Sequence, residues 1–265
     1  MSFAEEFQAA ERKALVENTA QDVFNILKDL VNHSSLHASR WIWELLQNAR
    51  DAAIPGSPLH VHVCMTEKEM SFQHDGMAFN TDQVAHLIHH GSTKYQEDRQ
   101  VGRFGTGFLS THIISKVPRV SGRLTDGRHF SFVLDRTGAT PKDLTDSMDR
   151  SSKEFVASVG KTSGTPAVHS TRYAYPISAD VNEIAEQGVE SLESYAPFVL
   201  AFNEEIESIE IVRDGVCRLY QRKPSKPLIK VNGDPLGGIV KATPVDVQGS
   251  DPQIPPFILR AAKNV

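Results

Sequence analysis

Cysteine is scarce in this chain of 265 residues: Cys64 and Cys217 are the only two, and no CxxC pair occurs. That leaves no cysteine framework of several bridges, and the simple reading is two reduced thiols in a cytoplasmic protein, with a single disulfide as the unsupported alternative. Long apolar runs are also missing. The longest, such as "FVLAF", fall far short of the roughly 20 residues that cross a bilayer, and "MSFAEEFQAAERK" opens with charge where a secretory signal would be apolar. Positive charge is not in excess: a net charge of -5 and a pI near 6.1 leave no general affinity for nucleic acid. HExxH and GxSxG do not occur. Of the eleven histidines, His60 with His62 and His89 with His90 stand close in sequence, yet no third ligand follows at a metal-binding spacing. A cytoplasmic protein with no membrane and no nucleic-acid partner is therefore expected.

What is present reads as an ordinary globular chain, with 40% hydrophobic and 23% charged residues. Residues 4–31 are predicted to be helical, with Val23, Phe24, Leu27, Leu30 and Val31 at helical spacing. A second helix is predicted over 40–53, capped by Ser39 and stopped by Pro55 and Gly56. "LHVHVCM" and "EMSFQH" read as strands joined by "TEKE", followed by helices over about 81–88 and 107–115. Strands are expected to dominate from 117 to 175, including a hairpin turning at Asp126-Gly127. "ADVNEIAEQGVESL" reads as a helix capped by Asp180 with Glu183 at the capping-box position, and "IESIEIVRDGVCRLY" as another Asp-Gly hairpin. Helices early and strands in the middle predict an α+β fold, a two-layer sandwich whose mixed, mostly antiparallel sheet is covered on one face by helices. Seven of the fourteen prolines lie after residue 222. The expected division is thus a domain over 1–222 and, over 223–265, a proline-rich connection, an edge element or the start of a following domain. An excised N-terminal domain is expected on the same ground.

The chemistry begins with "WELLQNARDAA", residues 43–53. At about 100° per residue, Asn48 lies about 40° from Glu44 and Asp51 about 20° to its other side, so a helix stacks the three in one stripe. Ile42, Leu45, Leu46, Ala49, Ala52 and Ala53 share the opposite arc. A solvated polar face would show the same pattern. Two features favour a cleft: Trp41 and Trp43 flank the stripe, and lysine, the common partner of surface carboxylates at i,i+4, is absent from the segment. Glutamate, asparagine and aspartate in a row offer oxygens to a hard cation and to an attacking water. Downstream, "GRFGTGF" places Gly102, Gly105 and Gly107 ahead of an apolar helix. This is neither the dinucleotide-binding GxGxxG nor a P-loop, because Phe108 stands where the P-loop needs lysine, but glycines of this kind let backbone approach a phosphate.

Taken together, "ELLQNARDA", "FQHDGMAF", "HGSTK", "GRFGTGF" and "TSGT" resemble, in order and spacing, the motifs of the GHKL ATPases over roughly residues 20–215. Within that superfamily, which includes gyrase, MutL and the histidine kinases, the chain is most similar to the chaperone-like, sacsin-like branch. The resemblance implies the Bergerat ATP-binding fold, ATP as substrate and Mg²⁺ as cofactor. It implies Glu44 as the general base, Asn48 as the Mg²⁺ ligand and Asp51 as a further pocket contact. Ser92, Thr93 and Lys94 would belong to a lid over residues 89–104, with Lys94 reaching a phosphate. Gly102, Gly105 and Gly107, with the backbone of Thr106, would cradle the phosphates, Phe108 would be a further nucleotide-binding residue, and Thr165 would help to bind adenine. The superfamily usually has DxGxG, whose first aspartate reads the adenine amine. Anchored on Gly76, that position holds His74 here, Asp75 stands one residue later, and Ala78 replaces the second glycine. Either His74 or Asp75 is left to read adenine, and since successive strand residues face opposite ways, Asp75 would need a local twist. The alternative role for Asp75 is to stabilise the turn at Gly76. The implied function is slow, Mg-dependent, lid-gated ATP hydrolysis that works as a conformational switch, with a nucleotide-dependent homodimer and a protein client as partners. The alternative is a nucleotide-sensing or interaction module that does not hydrolyse.

Overall fold

The computed structural model describes residues 2–34, 38–89, 106–160, 171–223, 226–229, 240–249 and 257–264. The chain is an α+β protein with one open, mixed and mostly antiparallel sheet. Its strands are β1 (Leu59–Met65), β2 (Glu69–His74), β3 (Arg119–Arg123), β4 (His129–Val133), β5 (Thr171–Pro176), β6 (Ile206–Arg213), β7 (Val216–Arg222), β8 (Lys226–Ile229), β9 (Val240–Gly249) and β10 (Phe257–Asn264). They lie in the order β10-β9-β7-β6-β1-β2-β5-β3-β4, with β8 also paired to β9. β1 and β6 run parallel, and every other named pair is antiparallel. Alternation sets the faces: Leu59, Val61, Val63 and Met65 of β1 are buried, while His60, His62 and Cys64 between them are half-exposed. Cys64 lies opposite Val212 of β6, which lies opposite Cys217 of β7, so a whole strand separates the two thiols.

The helices are α1 (Phe3–Asn32), α2 (Arg40–Asp51), α3 (Thr81–His89), α4 (Thr106–Leu109), α5 (Pro141–Ser158) and α6 (Asn182–Phe202). α2 packs near β1, α5 on β4, and α6 across β6, β7, β9 and β10. α1 lies against α5, burying Ala20, Val23, Leu27 and Leu30, whose spacing is one helical face. Val31, expected on that face, is exposed instead. Among the described residues, no helix is long and apolar enough to cross a membrane.

Several local expectations are corrected. Ser39 precedes α2 in a helical conformation and makes no side-chain cap bond. α6 begins at Asn182 with Val181 in the cap position, so Asp180 caps nothing, and the helix continues through Pro197 to Phe202. The helix foreseen over 107–115 is split into α4 and a 3₁₀ turn, Ser110–Ile113. Within the stretch expected to be mostly strand stands the 18-residue α5. Its start is fully specified: the Thr140 hydroxyl accepts from Asp143 N, the Asp143 carboxylate accepts from Thr140 N, and Pro141 opens the first turn. The prolines after residue 222 do not keep the chain out of the sheet. β9 is flanked by β7 and β10, with Pro244 opposite Arg260.

Candidate functional site

α2 is held by its apolar side, where Trp41, Ile42, Leu45, Leu46 and Ala49 are buried. The two tryptophans anchor it sideways to α6. Trp41 Nε1 donates to Ile184 O at 3.2 Å, with its ring packed where a side chain at Gly188 would stand, and Trp43 Nε1 lies 3.3 Å from Ser191 Oγ. They brace the helix against α6, and neither lines the cleft at its C-terminal end. The lack of lysine is also offset: Arg40 Nε lies 3.2 Å from Glu44 Oε1, and Arg50 Nη2 lies 3.4 Å from Asp51 Oδ1. The polar stripe still leaves the solvent. The Glu44 side chain is 20% exposed and that of Asp51 9%.

At the C-terminal end of α2 the stripe borders a cleft enclosing about 430 Å³ of space, part of it open to solvent. Asn48, Asp51 and Ala52 form one wall, His74 with residues 77–79 another, and Gln83, Thr171 and Tyr173 complete it. Three buried polar atoms here have no hydrogen-bond partner among the described residues: Asn48 Nδ2, Asp51 Oδ2 and Thr171 Oγ1. Each such group costs about 1–3 kcal/mol if left unmet, and these three belong to residues that line one cleft, which makes the cleft the candidate place for a polar ligand. The wall is assembled through Gly76. A Cβ there would stand 2.5 Å from Ala52 O, and that same carbonyl accepts from Met77 N at 2.7 Å. Only a residue without a side chain lets the end of α2 dock on the turn after β2.

The two candidates at the end of β2 face different ways. His74 is buried and lines the cleft, and its Nδ1 accepts from Gly76 N at 3.2 Å. The Asp75 carboxylate is turned toward β1, where Oδ1 accepts from His60 N at 2.7 Å. Asp75 thus ties the turn to the sheet, and the cleft position belongs to His74. Thr171, directly opposite His74 in the β2–β5 register, and Tyr173 are cleft residues that the sequence reading missed. Their place follows from the pairing of β5 with β2, which no local pattern announces.

The other end of α2 meets the glycine segment. A Cβ on Gly107 would collide with Glu44 Oε2 and lie 2.7 Å from its Cδ, so the Glu44 carboxyl packs directly on the Gly107 backbone. Two motifs far apart in sequence are therefore in contact. Phe108 is buried in the core, its ring centroid 5.5 Å from that of Tyr173, behind the cleft wall. The backbone of Thr106 opens α4. Ser92, Thr93, Lys94, Gly102, Gly105 and Thr165 lie outside the described residues.

A metal held by protein alone does not fit. Among the described residues no three histidine, cysteine, aspartate or glutamate side chains gather to hold one. Mg²⁺ that keeps its waters and is shared with phosphates needs only one or two protein ligands, and the Asn48 amide, with an end unpaired in the cleft, can turn its oxygen to such an ion. Compared with known proteins, the chain matches no protein-family description, and no curated protein matches it significantly.

Proposed function

We propose that this chain is a nucleotide-binding domain of the GHKL type, with the two-layer Bergerat arrangement, that binds Mg-ATP and hydrolyses it slowly as a conformational switch. The observation that carries this reading is the layout of α2. Three residues lining the cleft at its C-terminal end, Asn48, Asp51 and Thr171, each carry a buried polar atom with no partner among the described residues, and Glu44 rests on Gly107 toward its N-terminal end. The separation of Glu44 and Asp51 along the helix is about 10 Å, which suits a ligand with a polar ring at one end and a triphosphate tail at the other.

In this reading Asn48 would hold Mg²⁺, which when bound neutralises charge on the phosphates. Glu44 would orient the attacking water and accept its proton, and the backbone at Gly107 would lie beside the terminal phosphate. Phosphoryl transfer asks for positioning and charge stabilisation more than for covalent chemistry, so few protein groups suffice. The Arg40 guanidinium fixes the Glu44 carboxylate but also competes for the lone pairs that would take the proton. That contact favours a second reading, a nucleotide sensor that binds without turnover. The cytoplasmic location, the homodimer and the protein client belong to this proposal as well. Turnover of the parent and of Glu44→Ala decides between the readings. A loss of about 100-fold or more is expected from removing a general base, and equal rates in clean preparations would sink the hydrolytic reading.

A further inference from the structure

Resting on the nucleotide reading, we infer that Asp51 is the specificity-determining residue of the cleft, and that its Oδ2 accepts a hydrogen bond from the exocyclic amine of an adenine base. Asp51 belongs to the end of α2 away from Glu44, so a ligand with its terminal phosphate at Glu44 brings its nucleoside to Asp51. The Asp51 side chain is nine-tenths buried, and Oδ2 has no partner among the described residues. Its other oxygen is already engaged by Arg50 at 3.4 Å, so the carboxylate is held with one acceptor turned inward.

The neighbouring groups do not compete for this role. Asp75 has its carboxylate on His60 N, outside the cleft lining. His74 Nδ1 already accepts from Gly76 N, so that ring nitrogen is engaged as an acceptor within the turn. Asp51 is then the one anionic acceptor among the described lining residues. Thr171 Oγ1, buried and without a partner among the described residues, can donate to a ring nitrogen beside the amine, giving the donor-acceptor pair that the edge of adenine requires. A base with a carbonyl in place of the amine would set oxygen against carboxylate and leave both unpaired.

The Mg complexes of ATP, ITP and 2′-deoxy-ATP are titrated into Glu44→Ala protein, with and without Asp51→Asn. ITP carries a carbonyl in place of the amine and a proton on the adjacent ring nitrogen, and 2′-deoxy-ATP lacks a ribose hydroxyl that a carboxylate could also hold. With Asp51 present, ATP is expected to bind about 10- to 100-fold more tightly than ITP, as for one hydrogen bond to a charged group, with 2′-deoxy-ATP close to ATP. Asp51→Asn can present an amide donor to the carbonyl, so ATP should weaken, ITP should gain and the ratio should close or reverse. Equal affinity for ATP and ITP in the presence of Asp51 overturns the inference while leaving the nucleotide reading intact, and this arm does not depend on the variant folding. A loss confined to 2′-deoxy-ATP reassigns Asp51 to the ribose. If none of the three triphosphates binds, the nucleotide reading fails and the inference with it.

Discussion

His89 ends α3 with its ring half-buried, Nε2 lying 3.2 Å from Ser152 Oγ of α5. Behind it stands Arg136, 1% exposed, which donates to Leu87 O and Ile88 O at 3.2 and 2.6 Å and so places a cation on the last carbonyls of the same helix. Burial lowers the Arg136 pKa to about 10. Burial first, and then the charge of Arg136, push the His89 pKa below its ordinary 6.5, with Asp149 opposing. The folded chain therefore binds this proton less readily than the unfolded chain, and stability is lost as pH falls below 6.5 toward the lower folded value. His89→Gln keeps a partner for Ser152 without the titration. Its unfolding free energy, followed by denaturant melts between pH 7.5 and 5, should fall less steeply than that of the parent, and parallel slopes would refute the assignment. At this scale the sequence was legible where alternation decides the answer. Strand geometry already set His74 and Asp75 on opposite faces, but which of them meets the cleft depends on Asp75 finding His60 N on a neighbouring strand. Thr171 was illegible for the same reason, since its importance lies in being opposite His74.

Among the elements, α2 was legible because its apolar and polar residues separate cleanly into a buried arc and a stripe. α5 was not. Of its buried residues Leu144, Ser147, Met148, Ser151 and Phe155, two are serines, so the apolar period is thin, and the reliable signal was the Thr-Pro-x-Asp start. The hairpins show how one dipeptide serves two turns. Asp214 and Gly215 both take positive φ, 53° and 78°, as a two-residue hairpin turn requires. In the other, only Gly127 does, at 87°, and its N–H closes a turn on Leu124 O. On the proposed hydrolytic reading, turnover depends on the contact between α2 and α4. Gly107→Ala must displace the Glu44 carboxyl, so kcat for ATP hydrolysis should fall toward that of Glu44→Ala, about 100-fold, with a smaller change in nucleotide affinity. Unaltered kcat would show that Glu44 does not act from the position it holds here.

For the molecule as a whole, one sheet organises everything else. β1 lies at its middle, paired with β2 on one side and with β6 on the other. β2 and β5 carry the cleft floor, and α6 spans the strands on the other side of β1 while bracing α2 through both tryptophans. The chain after residue 222 supplies β8, β9 and β10 to that far edge, an extension that proline counts alone could not reveal, because what matters for a strand is whether each proline's missing N–H was needed. The α+β class was legible from the order of helical and strand periods, whereas strand order depended on pairings between distant segments. The central claim, that the cleft beside α2 receives a Mg-nucleotide, is tested most directly by calorimetric titration of ATP into Glu44→Ala protein with Mg²⁺ and again with the metal chelated. The account predicts saturable one-site binding that is lost or strongly weakened without Mg²⁺. An absence of binding heat at several temperatures, with nucleotide at millimolar concentration and Mg²⁺ present, would contradict it.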